Sequence, residues 1–220
     1  MARPGTGGLR FASSRAIRWT VAALVAVAGL GLAVSMLVAE SDVWAMPTLS
    51  HLGADPTAGP PFRATMLAVG LLGLVLAAQV TRLLGRLGAA GLVGRAWARL
   101  YALAFWVVPA GFLGVAVFPL GVAPLVELAH GTAAYAIPVA MLVLMLTARL
   151  AVPSLGPAFG RASLLVIAVV LLLYLAALGA LISYALMEAI AFAVGAAWFV
   201  SFVDRLVRLD RSGAAPGSGR

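Results

Sequence analysis

The chain has no cysteine, no lysine, only two histidines and only seven acidic residues. Without cysteine there are no disulfides, no thiolate metal ligands and no Cys nucleophiles. Two histidines with no HxxxH or HExxH spacing do not assemble the three or four donors a metal ion needs. No metal and no cofactor are therefore expected. GxxxxGK[ST] and GxSxG patterns are absent too, which leaves nucleotide binding and serine hydrolysis without support. All basic residues being arginine points to a GC-rich bacterial genome.

Charge of any kind is scarce: 10% of 220 residues, against about 25% in a soluble domain. Hydrophobic residues make up 64%. So few polar groups cannot clothe a water-facing surface, so lipid is the solvent for most of the outside. The net charge of +8 is spread over the flanks of apolar runs. It is not gathered in an aromatic-studded patch, so no nucleic acid is expected. The partners implied are the lipid bilayer and, at the cytoplasmic face, anionic lipids, worth about 1 kcal/mol per basic residue near the surface. The sequence names no protein partner.

What is present is a series of six apolar runs, near 17–39, 63–84, 99–118, 125–150, 162–184 and 187–203. Each has about the length needed to cross a hydrocarbon core of roughly 30 Å. The first run is too long for the h-region of a signal peptide, about 7–15 residues, and reads as an uncleaved span. Every arginine except Arg63 falls in alternate gaps between runs, whereas Glu40, Asp42, Asp55, Glu127 and Glu188 occupy the other gaps. Arginine-rich loops mark the cytoplasmic side. The expectation is an all-α polytopic bundle of six transmembrane helices with both termini cytoplasmic, in a bacterial plasma membrane. It comprises a cytoplasmic arm 1–16, one transmembrane domain 17–204 and a disordered basic tail 205–220.

Residues 40–62 form the longest outside loop, where four prolines and two glycines oppose a long helix. Residues 85–98 read as a basic inside connection with a short interfacial helix. The last outside turn is expected near residues 186–188. Small residues that permit close helix approach mark Ala22, Ala26, Gly29 and Ala33; Gly70, Gly73 and Ala77; Ala110 and Gly114; and Ala191 and Gly195. Pro109 and Pro138 are expected to kink spans three and four. Trp19, Trp44, Trp97, Tyr101 and Tyr184 fall near span ends, as an aromatic belt would, with Trp106 and Tyr174 deeper in the bundle.

An ionisable residue inside a membrane is a functional-site candidate. Glu127 and His130 lie one turn apart at the outer end of span four. Glu40 ends span one, Glu188 begins span six, and Ser50 and His51 lie in the long loop. By topology all six sit at the outer face and could converge on one polar pocket. One reading makes His130 a base, proton carrier or ligand with Glu127 as its partner. The other makes Glu127 and Glu188 interfacial helix-start acids and His130 a hydrogen-bonded packing residue.

Two stretches carry a resemblance. Pro47-Thr48-Leu49-Ser50-His51-Leu52-Gly53-Ala54 lies in the first outside loop, and Val117-Phe118-Pro119 precedes His130. With six spans, these resemble the DUF998 family of bacterial integral membrane proteins, in which an S-x-L-G-A stretch follows span one and an F-P turn precedes a histidine. The loop also resembles the P-x-I-S-x-x-G element of the Frag1/DRAM/Sfk1 membrane proteins. The resemblance covers residues 16–205 and implies architecture without an activity. It singles out Ser50, Leu52, Gly53, Phe118, Pro119 and His130. The function expected is non-enzymatic: binding of a lipid or apolar ligand, or service as an accessory or sensor subunit. The alternative is a membrane-embedded enzyme or small-solute transporter working at Glu127 and His130.

Overall fold

The computed structural model describes residues 14–213. Six long helices dominate: α1 (Ser14–Val38), α2 (Gly59–Ala89), α3 (Arg95–Val117), α4 (Pro124–Ala151), α5 (Gly156–Leu178) and α6 (Tyr184–Gly213). No strand occurs among the described residues. All six helices are long and apolar enough to cross a membrane. The chain is therefore an all-α, multi-pass bundle.

Prolines start three of the helices. Pro60, Pro124 and Pro157 stand in first turns, where a missing N–H costs nothing because that donor has no intrahelical partner. Ion pairs from Arg18 to Asp204 at 2.7 Å and from Arg86 to Asp210 at 2.8 Å bring the start of α1 and the ends of α2 and α6 together. Arg149 lies against Gly160, adding the end of α4 and the start of α5 to this basic end. The opposite end carries the α1–α2 loop and the α3–α4 and α5–α6 turns, and is called the loop end below. Helix α2 is the central element, packed against α1, α3 and α6.

Two apolar cores stack along the bundle. At the basic end Tyr101, Phe105, Phe159, Trp198 and Phe202 interlock; the Trp198 and Phe202 rings stack at 5.0 Å and Tyr101 meets Phe202 edge-on at 5.6 Å. At the loop end Met46, Leu49 and Leu52 of the long loop pack on Phe62, Met66, Val115 and Ala185. Between these cores the helices approach closely at glycines. A side chain at Gly73 would meet Pro109 at 2.7 Å, and one at Gly111 would meet the Ala133 carbonyl at 2.8 Å.

Several boundaries differ from expectation. The 85–98 connection holds no separate interfacial helix. Helix α2 runs on to Ala89 because Leu83, Leu84 and Leu87 are buried, and the turn closes with Leu92 and Val93 amides on the Leu87 carbonyl. Span six does not end at 203. Leu206 and Val207 are fully buried, so 205–213 is helical where a disordered tail was expected. The last turn lies at 179–183 instead of 186–188. Its residues before Ser183 carry no polar side chain and merge with span five in hydropathy. Geometry sets it: Ala180 adopts φ 56° and the Ser183 hydroxyl accepts the Leu186 amide, in the manner of an N-cap. The arm before Ser14 and the tail after Gly213 lie outside the described residues.

The aromatic residues also change places. Tyr101 is wholly buried, whereas Trp106 and Tyr174 are 41% and 46% exposed on the bundle surface. Trp106 keeps its indole N–H satisfied on Thr81 at 3.2 Å.

Candidate functional site

The polar groups of the loop end fall into two sets. The first set fastens the long loop. Its short 3-10 turn Leu49–Gly53 begins after Thr48, whose own side chain does not cap it. The Leu49 amide instead donates to Glu188 Oε2 of α6 at 2.7 Å. His51 Nδ1 is 2.9 Å from the Thr48 hydroxyl. Leu52 and Gly53 are buried, Ser50 is half-buried and Glu40 is exposed. Arg63, the one arginine at this end among the described residues, donates to the Gly53 carbonyl at 2.9 Å.

Asp55 is the hub of this loop. Its carboxylate accepts from the amides of Ala58 at 2.9 Å, Thr57 at 3.1 Å and Ser41 at 3.4 Å, and from the Thr57 hydroxyl at 3.0 Å. The Thr57 hydroxyl also reaches the Val38 carbonyl, at 2.7 Å. The end of α1 and the start of α2 are thereby tied through one carboxylate. The Ala58 amide is the main cause that brings the Asp55 pKa down from 3.8 to about 2; the Thr57 and Ser41 donors act with it and desolvation acts against it.

The second set fastens the α3–α4 turn. Pro119 follows Phe118 out of α3, and Gly121, at φ 80°, supplies the left-handed backbone that the turn requires. His130 Nδ1 lies 2.6 Å from the Phe118 carbonyl. A carbonyl can only accept, so Nδ1 carries a proton. Nε2 is buried and has no partner, and His130 as a whole is 3% exposed. Glu127 is exposed and accepts the Gly121 amide at 3.2 Å. Although one turn apart, Glu127 and His130 are held by different backbone groups of the same turn and not by each other.

The structure thus brings Leu49–Gly53 together with Glu188, and His130 and Glu127 together with Phe118–Gly121. The two sets share no hydrogen bond, and Glu40 joins neither. Among the described residues no three His, Asp or Glu side chains gather as a metal would need.

Among the described residues, grooves open on the outer surface of the bundle. One, of about 780 Å³, lies between α3 and α4 toward the loop end; its walls include Ala110, Gly114, Leu128, Ala129, Thr132 and Ala136. Another, of about 480 Å³, lies between α1 and α6 at the basic end, between Ala22, Val25 and Ala26 on one side and Val200 and Val203 on the other. Its mouth holds Arg18 and Asp204, and Asp204 also receives Arg208 at 2.6 Å. Asp204 and Asp210 are residues that the reading by charge gaps overlooked. Their signal was available, for they are the two acids that stand among the arginine clusters. No protein-family model, curated protein or solved structure matches the chain.

Proposed function

We propose that the protein is a non-enzymatic, lipid-binding protein of a bacterial plasma membrane. In this reading it holds a hydrocarbon chain in the α3–α4 groove and acts as an accessory or sensor subunit. The observation that carries the reading is the chemistry of the groove wall. Its residues are apolar except Thr132, and the Thr132 hydroxyl is spent on the Leu128 carbonyl at 2.8 Å. A polar ligand would give up hydrogen bonds to water and find none in return, whereas a hydrocarbon chain asks for none. The arginine bias supports a cytoplasmic basic end, and with that orientation the groove belongs to the outer leaflet. The resemblance of the PTLSHLGA loop and of Phe118, Pro119 and His130 to DUF998 proteins belongs to the same proposal and supplies architecture only.

The test is photolabelling in membranes with a diazirine-bearing fatty acid. Label is expected on α3 and α4, and Ala110→Phe or Thr132→Phe should reduce it about tenfold, the effect of 1.4 kcal/mol. Both residues are exposed in the groove, so the larger ring fills it without displacing a packed neighbour. Label spread evenly over all six helices, unaffected by Ala110→Phe, would sink the reading.

A second reading, a polar site of an enzyme or transporter, is favoured by the unpartnered His130 Nε2. It requires a path by which a polar ligand reaches that nitrogen. Modification of His130 by diethyl pyrocarbonate in the folded protein would support it, and complete protection would remove it.

A further inference from the structure

We infer that the α1–α6 groove is a binding site for one anionic phospholipid, its phosphate on the guanidinium groups of Arg18 and Arg208 and an acyl chain along Ala22 and Ala26. This site shares no residue with the α3–α4 groove and stands or falls without it.

The shape comes first. Val21 and Val203 are buried and form the floor, while Ala22, Val25 and Ala26 are exposed along one wall. Residues four apart share a helix face, so Ala22 and Ala26 make a continuous shallow channel that longer side chains would have filled. Its volume of about 480 Å³ is within the roughly 300–1,000 Å³ of ligand pockets.

The charge comes second. Asp204 meets Arg18 at 2.7 Å and Arg208 at 2.6 Å. One carboxylate between two guanidinium groups leaves a positive charge at the mouth. Each guanidinium carries five N–H donors in a planar fork, and the ion pair occupies only part of each. Arginine forks suit phosphate oxygens. Arg15 and Arg211 at the same end add to the field, Arg211 through its bond to Ser14 at 3.0 Å. The other groove has no such charge, so the two would select different molecules.

The length decides between a lipid and a partner helix. From Arg18 to Ala26 the channel runs about 12 Å at 1.5 Å per residue. This is less than half of the roughly 30 Å hydrocarbon core. A crossing helix would need a seam through both leaflets. An acyl chain whose phosphate sits at the arginines needs only one, and the basic end is where an anionic leaflet lies if that end is cytoplasmic.

Native mass spectrometry of the purified full chain, titrated with phosphatidylglycerol or with phosphatidylcholine of the same acyl chains, tests this. The wild type is expected to retain one phosphatidylglycerol and to prefer it about fivefold, the effect of one charge near the surface. Ala22→Phe and Ala26→Phe should weaken phosphatidylglycerol about tenfold, while Leu171→Phe on the exposed face of α5 should not. Arg18→Gln and Arg208→Gln each leave Asp204 with one partner, so the fold is retained; each should weaken phosphatidylglycerol more than phosphatidylcholine and so erase the preference. Equal affinity of the wild type for both lipids, or Ala22→Phe and Ala26→Phe proteins that bind phosphatidylglycerol as the wild type does, would overturn the proposal. So would a wild-type dimer that Ala22→Phe splits, since a second copy would then be the occupant. Loss of fatty-acid label from the α3–α4 groove with this result intact would condemn only the proposed function.

Discussion

Glu188, the fifth residue of α6, accepts the amide of Leu49, 139 positions earlier in the chain, at 2.7 Å. That single bond caps a 3-10 turn whose own first residue offers no cap. It also explains why an acid sits among apolar neighbours. Glu188→Ala leaves the Leu49 amide without its acceptor, at a cost of about 1–3 kcal/mol. Glu188→Gln keeps a carbonyl oxygen in place and should cost about 1 kcal/mol or less. Hydrogen exchange at Leu49 should quicken strongly in the alanine variant and little in the glutamine variant. Equal protection in all three proteins would mean that the loop is held without this bond.

Asp55 sets the acid limit of the same loop. Its pKa in the fold is about 2, lowered from 3.8. A depressed carboxylate contributes its stability in full above the unfolded value, and that contribution fades as pH falls through the folded one. The loop should therefore hold its protection above pH 4 and lose it between roughly pH 4 and 2. In Asp55→Asn this acid step should vanish, leaving a loop less protected at neutral pH. Exchange rates at Thr57 and Ala58 across that range are the measurement, and an unchanged acid step in the variant contradicts the assignment.

The centres of all six spans were legible, because a run of about 20 apolar residues has one stable solution in lipid. Their ends were not. The apolar turn at 179–183 looks like helix to hydropathy, and only the backbone of Ala180 and the cap at Ser183 reveal it. Faces were not legible either. Ala22, Ala26 and Gly29 are as small as Ala28 and Gly31, yet α1 buries Ala28 and sets Gly31 against Thr65, while Ala22 and Ala26 line an open groove. In water a polar stripe would have marked the outward face; in lipid both faces are apolar, so periodicity says nothing. Of the site, His130 and Glu188 were visible as rare polar groups in apolar sequence. Their partners, backbone groups of Phe118 and Leu49, carry no side-chain signature.

The glycines that let α3 meet α4 should be intolerant in proportion to what stands opposite. A Cβ at Gly111 would meet the Ala133 backbone carbonyl at 2.8 Å and Ile137 at 2.5 Å, whereas one at Gly29 would meet nothing within 4 Å. Gly111→Ala should therefore cost about 1–3 kcal/mol, since a backbone carbonyl cannot step aside. Gly29→Ala should be neutral or stabilising by about 0.5–1 kcal/mol, the helical advantage of alanine over glycine. Thermal unfolding in detergent, followed by loss of the monodisperse peak, separates the two. A fall in midpoint for Gly29→Ala as large as for Gly111→Ala would show that helix propensity and not close packing governs these positions.

Orientation can be read directly because the chain has no cysteine. Any introduced thiol is then the sole target of a maleimide. Glu40→Cys, in the exposed start of the α1–α2 loop, and Ala90→Cys, in the exposed turn after α2, lie at opposite ends of the bundle and touch neither core. If the arginine clusters are held on the cytoplasmic side, an impermeant maleimide added to intact cells should label position 40 and spare position 90. After lysis both should label. The magnitude expected is near all-or-none, because a folded span does not flip on the time scale of labelling. Labelling of position 90 and not 40 in intact cells would invert the topology, and would move the α3–α4 groove to the inner leaflet and the arginine-flanked groove to the outer. Labelling of both in intact cells would mean that the two ends do not lie on opposite sides, and the six-span crossing itself would fail.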